Sequence, residues 1–152
     1  MNKISINSVL SFMGAGVVVL GAFGAHALKA RLQPDQLANY QTAIYYAYIH
    51  IIIALIAGIV ANSNPRRLMA KLSQRLFIIG IACFSGSILL LTTRDLIGLP
   101  TALIKVLGPI TPVGGLFLIS GWLVLAFSLR NVNTMDKTLL MTLIKDDSED
   151  EE

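Results

Sequence analysis

Acidic residues are nearly absent from this chain until its end. The first 145 of its 152 residues contain three, Asp35, Asp95 and Asp136, whereas the last seven, Asp146 to Glu152, contain six. Cysteine is as scarce: Cys83 stands alone, which excludes an intramolecular disulfide, and two histidines far apart offer no structural zinc spacing. Charged residues make up 14% of the chain, against roughly 25% in a soluble domain. No acid falls inside a long apolar run to complete a Ser-His-Asp triad, and G-x-S-x-G is missing. These absences exclude an ordinary cytosolic fold, and they leave no enzyme, cofactor or metal site to expect.

What the chain has instead is apolar length. Hydrophobic residues make up 55% of it, and four runs carry no charged residue other than histidine: Ile4 to Leu28, Gln36 to Pro65, Leu76 to Thr93 and Val106 to Leu129. About 20 such residues suffice to cross a hydrocarbon core. The expected fold is therefore all-α, a four-helix transmembrane bundle with short loops. Residues 1–130 form the membrane domain, with spans near 6–28, 40–61, 76–93 and 111–129. Met135, Leu139, Leu140, Leu143 and Ile144 recur at helical spacing, so 131–145 reads as an amphipathic juxtamembrane helix. Residues 146–152 read as a disordered acidic tail.

The first run invites a second reading. Lys3, an apolar stretch and Ala25-His26-Ala27 fit a cleaved secretory signal, but the run is longer than a signal core. Gly14, Gly21 and Ala25 also share a helix face suited to close helix approach, which favours a retained span. Pro34 and Asp35 suit the first turn of the next helix, where tyrosines 40, 45, 46 and 48 mark a membrane interface. The segment NPRRLMAKLSQR reads as a basic loop. Between Arg94 and Pro112, the breakers Gly98, Pro100, Gly108 and Pro109 suggest an interfacial loop with one turn of helix. Thr111 as N-cap and Pro112 at the first helical position then open the fourth span.

The net charge of +3 hides an asymmetry. Residues 1–145 hold all twelve Lys and Arg against three acids, leaving +9, and the tail carries −6. Because the basic residues flank apolar runs, the lipid bilayer is the expected partner and nucleic acid is not. Lys3, Arg66, Arg67, Lys71, Arg75, Arg130, Lys137 and Lys145 fall on one side, and Lys29, Arg31, Arg94 and Lys105 on the other. Eight against four predicts that both termini are cytoplasmic.

Judged by the expected spans, His50, Ser85, Ser87, Ser120 and Trp122 share one depth, with Tyr46 on the face of His50 and His26 near the outer end. An ionisable group at bilayer depth is a functional candidate by default. The candidate polar cluster is thus His50, Tyr46, Ser85, Ser87 and His26, and the plainer alternative is interhelical hydrogen bonding. Trp122 reads as a packing anchor inside the bundle. Gly86, Gly114 and Gly115 read as close-packing positions.

LGAFGAHALK (Leu20 to Lys29), YQTA with Tyr46 and His50, FSGS (Phe84 to Ser87) and GPITPVGGLFLISGW (Gly108 to Trp122) together resemble the YgdD-like family. Its members are small, uncharacterised bacterial inner-membrane proteins with eukaryotic relatives. The resemblance covers all four spans and marks Gly21, Gly24 and Pro112 as motif residues. It implies a retained first span and carries no catalytic residue or substrate. The expected role is a structural, interaction or lipid-associated accessory protein, with a homo-oligomer or another membrane protein as partner. The alternative is a small-solute or proton transporter, or a channel component, built on the His/Tyr/Ser cluster.

Overall fold

The computed structural model of the chain describes residues 5–63, 67–130 and 141–142. Within them the fold is all-α. Ser5 caps the first helix, its hydroxyl accepting from the Ser8 amide at 3.1 Å. Helix α1 runs Ile6–Phe23 and widens into a π-helical turn, Gly24–Leu28. Helix α2, Pro34–Ser63, opens on a proline, and Gln36 reaches back to accept from the Gln33 amide at 3.0 Å, half of a capping box. Helix α3 is Arg67–Thr92, α4 is a single turn, Arg94–Ile97, and α5 is Thr101–Leu129. Gly98 ends α4 with φ of 62°, the left-handed conformation glycine adopts freely. Four of the helices are long and apolar enough to cross a membrane: α1 with its π turn, α2, α3 and α5. Of the expected juxtamembrane segment, 141–142 are described and helical; the rest of it, the acidic tail and Lys3 lie outside the described residues.

Two boundaries correct the sequence reading. The fourth span begins at Thr101, not at Thr111, so Pro109 and Pro112 lie inside α5. In water, proline removes an amide donor and ends a helix, whereas in a bilayer there is no solvent to reward a break and neighbouring hydroxyls supply the bonds. Between the two prolines, Thr111 ties α5 to α3, its hydroxyl pairing with Ser87 Oγ at 2.7 Å. The basic segment from Arg67 to Arg75 is the first part of α3 rather than a loop.

The helices alternate in direction, and α3 lies between α2 and α5, packed extensively on both. Helix α1 rests against α2 at the edge, with Leu10 and Val17 as its buried residues. The α2 side of the core is a seam of small residues, Ala43, Ala47, Ala54, Ala57 and Ala61. Helix α5 contributes Gly114, Leu118, Gly121, Leu125 and Ser128, a strict three-and-four spacing that keeps one stripe facing α3. One end of the bundle carries the α1–α2 and α3–α5 connections, and the other carries the ends of α1 and α5 nearest the termini.

Candidate functional site

His50 sits midway along α2 with 7% of its surface exposed. Its Nδ1 lies 2.7 Å from the Tyr46 carbonyl oxygen. A carbonyl only accepts, so Nδ1 carries the proton and Nε2 is left as an acceptor. Trp122 Nε1–H donates to that Nε2 at 3.3 Å, joining α2 to α5. Both nitrogens of a neutral imidazole are thereby used. Three rings pack around it, leaving one side on a groove: Tyr46 stacks on His50 at 5.7 Å between centroids, Phe77 of α3 lies at 5.7 Å, and Trp122 meets it edge-on at 6.3 Å. Tyr46 in turn packs on Phe84 at 4.8 Å. Beside this cluster a groove of about 540 Å³ opens between α2 and α5, lined by Tyr46, Ile49, Phe84, Gly115 and Ile119 among others.

The serines do not join it. The Gln74–Ala54 hydrogen bond fixes the α2–α3 register, which sets His50 level with Ile78 and Ser85 level with Ala43. At 1.5 Å per residue, Ser85 is roughly 10 Å along the axis from His50. The expected single layer came from starting α3 at residue 76; nine further residues of helix move its midpoint away from the serines. Ser87 pairs with Thr111 and also donates to the Phe84 carbonyl at 3.0 Å. Ser85 is buried, and its Oγ has no hydrogen-bond partner among the described residues. Ser120 is exposed, and His26 is exposed within the π turn, at the connection end. Trp122 keeps 44% of its surface exposed, so it anchors α5 to His50 from the rim of the bundle and not from its interior.

The glycines separate into two kinds. A Cβ on Gly114 would run into the backbone of Phe84 and Cys83, and one on Gly121 would come within 2.8 Å of the Phe77 ring. Gly80 faces Leu118, with the Leu118 amide nitrogen 3.0 Å from such a Cβ. Reciprocal approach of this kind is how membrane helices pack without a hydrophobic driving force. Ser73 adds a hydrogen bond of 2.8 Å to the Gly121 carbonyl. On α1 the tight position is Gly24, where a Cβ would stand 2.5 Å from the Tyr40 ring. Tyr40 crosses there to donate its hydroxyl to the Leu20 carbonyl at 2.8 Å. It is 2% exposed, an internal tie between helices and not a headgroup anchor. At Gly14, Gly21 and Gly115 a Cβ would meet neighbours at ordinary distances of 3.5 to 3.8 Å. Gly86 departs from the packing reading altogether: a Cβ there meets nothing within 4 Å.

A second polar node escaped the sequence reading. Gln74 is 3% exposed, and its Nε2 donates to Asn7 Oδ1 at 2.7 Å and to the Ala54 carbonyl at 3.0 Å. It thus ties α1, α2 and α3 together. A Cβ on Gly58 would collide with both amide groups, so this glycine makes the space for the node. An amide next to Arg75 was hidden inside the supposed basic loop.

Residues 20–115 match the family described as "Protein of unknown function (DUF423)". The chain belongs to this family. A UPF0382 membrane protein of Staphylococcus haemolyticus is 30% identical over 125 residues, 82% of this chain and 92% of the relative. Another from Schizosaccharomyces pombe is 34% identical over 121 residues, 78% of this chain and 95% of the relative. UPF0382 membrane protein YwdK of Bacillus subtilis is 29% identical, covering 80% and 87%. No solved structure matches. The chain is thus a transmembrane member of a family whose function is not established. The DUF423 match opens at Leu20, which receives the Tyr40 hydroxyl, and closes at Gly115; it takes in His50, Gln74, Gly86 and Gly114 and stops short of Trp122.

Proposed function

We propose that this chain is a non-catalytic structural or interaction protein, a lipid-associated accessory component of a bacterial inner membrane in the YgdD-like branch of its family. Its termini are cytoplasmic in this reading, and its partners are lipid and a second copy or another membrane protein. The observation that carries the reading is the complete use of His50. A proton relay needs a nitrogen free to exchange, yet Nδ1 is held by a backbone carbonyl and Nε2 by Trp122, whose indole N–H is a donor and not a base. The cluster therefore supports interhelical adhesion in preference to transfer. Orientation rests on the eight-to-four distribution of basic residues.

The groove of about 540 Å³ beside His50 favours the second reading, transport of a small solute or proton. Proteoliposomes decide between them: the first reading expects no proton flux above empty vesicles between about pH 5 and 8, where histidine titrates. Flux that His50→Ala abolishes would move the assignment to transport. Orientation is tested separately by placing single cysteines at Asn2 or Glu152 in a Cys83→Ser background. An impermeant maleimide is expected to label neither until the cells are opened.

A further inference from the structure

Asn7 and Gln74 join α1 to α3 near the termini, whereas at the connection end a groove of about 780 Å³ lies between the two helices, within the range of small-molecule sites. Leu20, Phe23 and Leu28 form one wall, Leu89 and Ile97 the other, and Tyr40 with Gly86 the floor. The lining is almost wholly apolar, with one charge, Arg31, at the rim. Arg31 makes no ion pair among the described residues; at this end Asp95 already faces Arg94, at 3.7 Å.

Gly86 supplies the second, independent observation. The other glycine of α3, Gly80, is fixed by contact with Leu118, whereas the fold places nothing against Gly86. A side chain there is free of the protein and would stand in the groove. Its absence is what keeps the groove deep. An apolar trough long enough for a hydrocarbon chain, ending near the level where the helices end at a guanidinium with no ion pair among the described residues, fits one class of occupant.

We propose that this groove binds an anionic phospholipid, one acyl chain lying between α1 and α3 over Gly86 and the phosphate resting on Arg31. The proposal deepens the lipid-associated reading and depends on it only for the membrane setting. Guanidinium pairs with phosphate through parallel N–H donors, while the exposed lysine beside it, Lys29, adds unspecific attraction.

The test uses the full chain purified in mild detergent and exposed to phosphatidylglycerol or phosphatidylcholine of identical chains, with retained lipid read by native mass spectrometry. Wild type is expected to keep phosphatidylglycerol about fivefold better, the effect of one basic residue on an anionic lipid. Gly86→Leu is expected to lose both lipids while keeping helix content and monodispersity. Arg31→Gln is expected to retain both equally. Gly86→Phe repeats the block should the leucine variant fail to fold. Equal retention by wild type and Gly86→Leu would overturn the proposal, as general annular lipid behaves that way. So would a glycerol phosphate without chains binding as well as the lipid, or a dimer that Gly86→Leu dissociates, which would make a second copy the occupant. Proton flux through His50 would end the accessory reading and leave these outcomes unchanged.

Discussion

The α3–α5 interface and the α1 edge are built from similar residues and held in opposite ways. Between α3 and α5, glycines are required where they stand, because Gly114 and Gly121 lie against backbone and ring with no room for a methyl group. Along α1, Gly14 and Gly21 meet their neighbours at ordinary distance, and Gly16 meets none. Leu10 and Val17 are buried between, and the hydrogen bonds that tie α1 are at its ends: Asn7 on Gln74 at one, and Tyr40 on the Leu20 carbonyl at the other. Small residues in a membrane helix therefore mark close packing only where the partner backbone comes to meet them.

The comparison can be broken in four places. Gly114→Val should have the largest effect, about 3 kcal/mol or more of destabilisation, since both backbones must separate; unfolding in mixed micelles measures it. Gln74→Leu strands Asn7 Oδ1 and should cost about 1 to 2 kcal/mol. That loss should be confined to α1, so amide exchange should rise across Ile6–Phe23 and stay flat in α5. Trp122→Phe keeps a ring and removes the donor to His50, for about 0.6 kcal/mol and no more than about 1.7. Gly16→Ala should differ in sign, a gain of no more than about 1 kcal/mol from helix propensity. Equal losses from Gly16→Ala and Gly114→Val would erase the distinction between the two regions.

Much of this was legible in the sequence, because a charge-free run of bilayer length has few other fates. The four spans, the break at Gly98 and the start at Pro34 follow from hydropathy and backbone chemistry alone. Pro109 and Pro112 misled because rules for helix ends assume water. Arg67 to Arg75 misled because a charge ends an apolar run without ending a helix. The candidate cluster was legible only in part: Tyr46 to His50 is a spacing within one helix, but His50 to Trp122 depends on the crossing of two helices. Gln74 was passed over because an amide beside an arginine carries no signal until its partners on α1 and α2 are in place. Gly86 and Gly114 are indistinguishable in sequence, as what separates them is the neighbour.

The unequal helices at the two edges carry a mechanical consequence. At 1.5 Å per residue, the apolar span Ile6–Leu28 is about 34 Å long and Thr101–Leu129 about 44 Å. A bilayer about 30 Å thick matches the first closely and the second poorly, and each ångström of mismatch costs a fraction of a kcal/mol. The α5 side must tilt or draw thicker lipid around itself, while the α1 side need not. The α1 edge and the α5 edge thus ask for different thicknesses of the lipid that lies against them.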